Sequence, residues 1–252
     1  RTQKGRGEKI PPSCFCSTHR MTRLISIVFL CGALCAGTAV AQHLPDTSYK
    51  TIVEHPAYSK TSPRVMFDEA HYNFHTSTGR YKPFADLLMN DGYRIVVNRQ
   101  SFTKKSLESF KLLVIANALA EDIDEAGADK PAFSDEECEA VRDWVKTGGS
   151  LLLIADPGPF GKSVATLAKQ FGVEMESSVT EDSANSAEEF RASLIVYSRD
   201  NHQLLDHPIT TGRDTSEKIG RVVVFAGQSM KGGQDAFAFL KLADSARDVK
   251  RN

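Results

Sequence analysis

A chain of 252 residues, 41% apolar and 25% charged, is long enough to bury the core of one α/β domain. Its 31 Lys and Arg balance 32 Asp and Glu. Cleavage after Ala41 would remove six of those basic residues and one acidic residue, leaving a formal charge of −6, which argues against nucleic acid as a partner. Of five cysteines only Cys138 lies beyond that point, so no disulfide frame can hold the fold.

Residues 1–20 are basic and aperiodic and read as a non-native upstream extension, with Met21 as the initiator. Residues 21–41 read as a signal peptide: Met21 to Arg23 is the basic n-region, Leu24 to Ala36 the apolar h-region, and Ala39-Val-Ala41 the cleavage site. The apolar run is too short for a comfortable membrane span. The expected product is periplasmic or secreted, with no stable membrane span after processing. Residues 42–63, rich in Pro and Ser, read as a linker arm, and residues 64–252 as the folded domain.

The domain is organised around RVMFDEAHYNFH, residues 64–75. An apolar run ending abruptly in polar groups is how an open α/β sheet presents a site at its carboxyl edge. The pattern predicts a strand at 64–68 and a loop at 70–81. A helix then opens at Pro83, carries Phe84, Leu87 and Leu88 on one face, and stops at Gly92. Tyr93 to Val97 is a second strand, Leu107 and Phe110 mark a short helical piece, and Leu112 to Ala116 is a third strand ending at Asn117. An acidic loop covers 120–132. Ser134 and Glu137 form a capping box for a helix that ends at Gly148-Gly149. Cys138 shares an apolar face of that helix with Val141 and Val145, so it reads as core rather than nucleophile. Ser150 to Ala155 is a fourth strand, apolar on both faces. A turn at 156–161 leads to a helix carrying Val164, Leu167 and Phe171 and closing at Gly172. Residues 174–192 read as a loop or insertion, and strands follow at 193–197 and 221–226. His207 precedes Pro208 in a turn and reads as structural. The alternation implies βαβ units and a parallel sheet, with right-handed crossovers setting the ends of strands one, three and four along one edge.

Two strings suggest a nucleotide enzyme and fail on chemistry. DEAH at 68–71 follows an apolar strand, and GPFGKS at 158–163 lies between a strand and a helix. The phosphate loop, however, would have Asp156 where glycine is required, and two prolines remove amides from the cradle. Asp68, Glu69, His71 and His75 could ligate a metal. No chelating turn is specified, so hydrogen-bonded loop residues are the stronger reading, and neither a metal nor a cofactor is expected.

DEAHYNFHT, GRYKPFADLLMNDGY, LLVIANAL, WVKTGGSLLLIADPGPFG, DHPITTGR and VVVFAGQSM together resemble an uncharacterised exported branch of the class I glutamine amidotransferase-like superfamily. The resemblance spans about residues 64–245 and implies a flavodoxin-like, doubly wound α/β fold: a mostly parallel sheet of order 2-1-3-4 with helices on both faces. In true amidotransferases the turn after the GG-strand unit carries a cysteine nucleophile. Here that turn is Asp156 to Phe160, without cysteine, so no glutaminase activity is implied. Members also carry a further strand and a closing helix, so the chain resembles a copy shortened at its C-terminus.

The expected function is binding of a small molecule or an envelope protein partner, at a site lined by Asp68, Glu69, His71, Asn73, His75, Asn117, Asp156 and Phe160. Asp68 and Asn117 are expected as neighbours at the switch point, with His71 and Asp156 on rim loops. The alternatives are a hydrolase in which His71 or His75 is general base and Asp156 orients it, and a structural accessory with a vestigial site.

Overall fold

The computed structural model describes residues 45, 46 and 48–250. The chain divides into two units, Arg1–Leu44 and Pro45–Asn252. The signal peptide and upstream extension expected from the sequence lie outside the described residues. Among the described residues, no helix is long and apolar enough to cross a membrane.

The architecture is α/β. Strands β1 (Arg64–Asp68), β2 (Arg94–Asn98), β3 (Leu112–Ala116) and β4 (Ser150–Ile154) form one parallel sheet. Its order is β2-β1-β3-β4, as expected. The register sets Phe67 beside Val97 on one side and beside Val114 on the other. Helix α1 (Lys82–Asn90) begins with Pro83 in its first turn, where a missing N–H costs nothing. Helix α2 (Lys104–Leu107) is capped by Thr103, and α3 (Asp135–Lys146) by Ser134 with Glu137 in a full capping box. Helix α4 (Pro159–Lys169) starts inside the stretch expected to be a turn, because Gly158 at φ 84° reverses the chain four residues after β4.

Alternation along the strands divides the core between two faces. Val65, Phe67 and Val114 pack with Phe84 and Leu88 of α1. Met66, Leu113 and Ile115 pack with Cys138, Val141 and Trp144 of α3 and with Val164 and Leu167 of α4. Helices thus cover both faces, an arrangement compatible with a doubly wound fold. Cys138 is fully buried in this second cluster. Burial, followed by the nearby charges of Asp135 and Glu137, pushes its thiol up to about 11. A thiol so held stays protonated at neutral pH and is a poor nucleophile.

Beyond α4 the chain departs from the sequence reading. Residues 174–192 were expected as a loop or insertion. They instead carry β5 (Val173–Met175), β6 (Val179–Glu181) and a 3-10 turn at Ser183–Asn185. The two strands pair antiparallel with distant partners, β9 (Met230–Gly232) and β10 (Arg247–Val249). Strands β7 (Leu194–Ser198) and β8 (Arg221–Phe225) pair antiparallel with each other rather than extending the parallel sheet. Between them, His207 caps the short helix α5 (Pro208–Thr211) through Nδ1, which accepts from the Ile209 amide.

The described residues of the linker arm form no helix or strand, yet they are tied down. The Ala57 amide donates to Asp91 Oδ1 (2.7 Å), and Asn90 Nδ2 donates to Thr51 Oγ1 (2.7 Å). Tyr58 meets the edge of Tyr93 at 4.9 Å. Gly92, at φ 95°, lets the Tyr58 carbonyl lie where any Cβ would stand.

Candidate functional site

The crossovers reverse direction between β1 and β3, so the loops after these strands and the turn after β4 share the carboxyl edge. Most of the residues expected at this edge fall into two clusters of different character, and Glu69 and Phe160 stand apart from both.

The first cluster is closed. Asp68 ends β1 fully buried, and its carboxylate accepts four hydrogen bonds. Oδ1 takes the Ala70 amide (3.3 Å) and Asn98 Nδ2 (3.2 Å). Oδ2 takes Asn73 Nδ2 (3.0 Å) and His71 Nδ1 (2.9 Å). The other ring nitrogen of His71, Nε2, meets Glu137 Oε1 at 3.0 Å. That same oxygen accepts the Phe102 amide (2.8 Å), while Oε2 accepts the Ser134 amide (3.1 Å). The imidazole packs against the rings of Phe102 (4.9 Å) and Phe133 (4.7 Å), which also meet each other (5.8 Å).

Electrostatics follows from this packing. Burial alone would push His71 down, but hydrogen bonds and charge from Asp68 and then Glu137 together hold its pKa above the usual value. Burial would likewise raise Glu137. The amides of Ser134 and Phe102, then His71, outweigh it and hold the carboxyl below its usual value. A doubly protonated imidazolium donates from both nitrogens, so it satisfies both carboxylates at once. His71 therefore ties the end of β1 to the N-terminus of α3, and Glu137 does so as part of its capping box. The expectation that His71 sits on a rim loop is corrected: it is only 7% exposed. The pairing of His71 with Asp156 is corrected too, because both ring nitrogens are taken by Asp68 and Glu137.

The second cluster is open. Asn117 leaves β3 at φ 51°, a left-handed conformation that asparagine tolerates better than most residues. Its buried amide grips Asp156 at two points: Nδ2 donates to Asp156 Oδ2 (2.7 Å), and Oδ1 accepts the Asp156 amide (2.9 Å). The Asn117 carbonyl also accepts the Phe74 amide (2.9 Å), which anchors the loop carrying His75. His75 Nε2 then stands 3.5 Å from Asp156 Oδ2. The imidazole stacks on Tyr81 at 4.6 Å, and its buried Nδ1 has no hydrogen-bond partner. Burial, then the charge of Asp156, raises the Tyr81 hydroxyl. The His75 side chain is 13% exposed and that of Asp156 is 53% exposed, so the carboxylate faces solvent while its base is fixed.

Glu69 and Phe160 belong to neither cluster. Glu69 Oε1 accepts the Ser77 amide and hydroxyl (2.9 and 2.7 Å), and Oε2 pairs with Arg99 (3.2 Å). Phe160 is buried with Leu119 and Ala128 and lies 5.5 Å from Phe74. Asp68 and Asn117 share the edge, yet they bond to different partners. The sequence reading missed Glu137 as the second carboxylate on His71, and it missed Tyr81 and Arg80 altogether. The capping box did locate Glu137, but nothing local in the chain points it at a histidine 66 residues away. Among the described residues, no group of three His, Cys, Asp or Glu is arranged to hold a metal ion.

No family model matches the chain. No curated protein matches it either. Among solved structures, one described as "mmIFT52 N-terminal domain" is similar with a TM-score of 0.55 and 16% identity, covering 75% of this chain and 76% of that one. At that identity the likeness is one of fold alone.

Proposed function

We propose that the chain is an exported, flavodoxin-like domain of the amidotransferase-like type that binds a small molecule at its carboxyl edge, without glutaminase activity. One observation carries the reading. Asn117 spends a buried side chain and a left-handed backbone on fixing Asp156, yet leaves that carboxylate half-exposed beside His75. A turn residue needs no such double grip, whereas a recognition group has to be held in place. The buried thiol of Cys138 and the cysteine-free turn at 156–160 support the absence of glutaminase chemistry. The closed Asp68–His71–Glu137 cluster serves this site by holding the loop that delivers His75.

A hydrolase is the second reading, favoured by the 3.5 Å approach of His75 Nε2 to Asp156. A carboxylate so placed can orient an imidazole acting as general base. A metabolite thermal-shift screen of the chain and its Asp156→Asn variant tests the main reading. Asp156→Asn is expected to keep the melting temperature and lose the ligand-induced shift. Shifts of equal size in both proteins would refute it. Turnover of chromogenic esters that disappears in His75→Gln would favour the hydrolase.

A further inference from the structure

The loop after β1 also walls a cavity of about 330 Å³ that the His75–Asp156 cluster does not use. Its lining includes Tyr72, Phe74, Arg80, Leu119 and Ile123. Arg80 is the unusual member. Its guanidinium carbon lies 3.9 Å from the centre of the Phe74 ring, and Nη1 donates to the Phe74 carbonyl (3.2 Å). Nε is buried with no hydrogen-bond partner. Among the described residues no carboxylate forms an ion pair with Arg80. Half-buried cations are ordinarily paired, and a planar guanidinium fork matches a carboxylate through two parallel hydrogen bonds.

The acids nearby do not fill that role. Glu69 lines the cavity, but its oxygens are engaged by Ser77 and Arg99. Asp122 is exposed where it lines the cavity, so solvent screens its repulsion of an anion at Arg80; a doubly charged ligand would feel that repulsion twice over. The remaining lining is apolar or aromatic apart from Asn73, whose amide is engaged by Asp68 and by the His71 amide. Tyr72 is 60% exposed, and its backbone is held at φ 42°, which is strained for a bulky residue. Ile123 is 38% exposed beside it. The volume lies near the lower end for small-molecule sites.

We propose that this cavity binds a small monocarboxylate with an aromatic or aliphatic body, its anionic group forked by Arg80 and its body laid against Tyr72, Phe74 and Ile123. The proposal rests on reading the carboxyl edge as ligand-binding, but it places the ligand's charge on Arg80 rather than at Asp156.

The probe is phenylacetate, with phenylacetamide as its neutral isostere, titrated into the full chain and followed by calorimetry and amide NMR. Phenylacetate is expected to bind saturably and to shift the amides of Phe74, Leu119 and Ile123. Phenylacetamide should bind about tenfold more weakly or worse, as befits loss of a charged hydrogen-bond pair. Arg80→Met should lose about the same factor, and Arg80→Lys should fall between. Absence of saturable binding, equal binding of acid and amide, or undiminished binding by folded Arg80→Met would each overturn the proposal. If Arg80→Met does not fold, the acid–amide comparison on the parent chain decides. Loss of phenylacetate binding in Asp156→Asn, with Arg80→Met unaffected, would sink the Arg80 assignment while favouring Asp156 as the ligand-binding group.

Discussion

Removing the His71 imidazole tests whether the closed cluster is an ion-paired brace. In His71→Ala, Asp68 and Glu137 remain buried and lose their shared cation, whose nitrogens stood 2.9 and 3.0 Å from them. Breaking a buried pair by deleting one partner costs about 3–5 kcal/mol. The lower end applies here. Asp68 keeps its bonds from Ala70, Asn73 and Asn98, and Glu137 keeps those from Phe102 and Ser134. A loss of about 3 kcal/mol in a domain of this size lowers the melting temperature by about 6–12 °C. The single tryptophan, Trp144, is 6% exposed in the α3 core and reports unfolding in urea without a label. Glu137→Gln should cost clearly less in the His71→Ala background than in the parent, because there it removes an unpaired charge. A His71→Ala loss below about 1 kcal/mol would refute the brace and leave His71 as a surface-like loop residue.

The same cluster sets a pH window. His71 is raised in the folded state, so its contribution is complete below the ordinary value of 6.5 and fades as pH rises through the folded value. Glu137 is lowered, so its contribution is complete above the ordinary 4.5 and fades as pH falls through the folded value. Stability by urea titration should therefore peak between about pH 4.5 and 6.5, and the His71→Ala deficit should shrink above that range. Cys138→Ser should lower stability by about 1–3 kcal/mol, because it buries a hydroxyl among apolar groups, and should leave phenylacetate binding unchanged. Gly92→Ala should cost more than about 1 kcal/mol, since φ is positive and the new Cβ meets the Tyr58 carbonyl; limited proteolysis should then cut residues 48–60 faster. Tyr72→Gly should raise stability by up to about 1 kcal/mol by relieving a left-handed backbone, while weakening phenylacetate binding.

Local chemistry made the first half of the domain legible. The runs at 64–68 and 112–116 are apolar because those strands are covered on both faces, and Ser134 with Glu137 announced the start of α3; the equally apolar run at 150–154 is instead the edge strand, where Leu152 is 36% exposed. The strand order 2-1-3-4 was expected from the likeness to a doubly wound fold, because handedness alone leaves other orders open, and the sheet has that order. The second half was not legible for a physical reason. Strands of three residues such as β5, β6, β9 and β10 carry too little periodicity to register, and each pairs with a partner more than 50 residues away. Tyr93 opened the second strand in the sequence reading, but the observed strand starts at Arg94, whose amide donates to the Pro63 carbonyl to begin the ladder.

The candidate site divides along the same line. The sequence places Asp68, His71, His75, Asn117 and Asp156 at one edge, because edge position depends only on topology. It does not say which of them is spent on structure. That choice was made by Glu137, which enters from α3 and takes His71 out of play as a base. The consequence reaches the open side. With its side chain locked, His71 also accepts the Leu119 amide at its carbonyl (2.8 Å), and its own amide donates to Asn73 Oδ1 (3.0 Å). Those bonds fix both ends of the short turn that holds Tyr72 in its left-handed conformation and leads into Phe74 and His75. The polar residues of DEAHYNFH thus share the work: the first histidine holds the loop in place, and that loop carries the second to Asp156. The same loop brings Phe74 beneath Arg80. A variant that loosens His71 should therefore weaken binding at both the Asp156 and Arg80 positions, whereas changes at Asp156 or Arg80 should act on one alone.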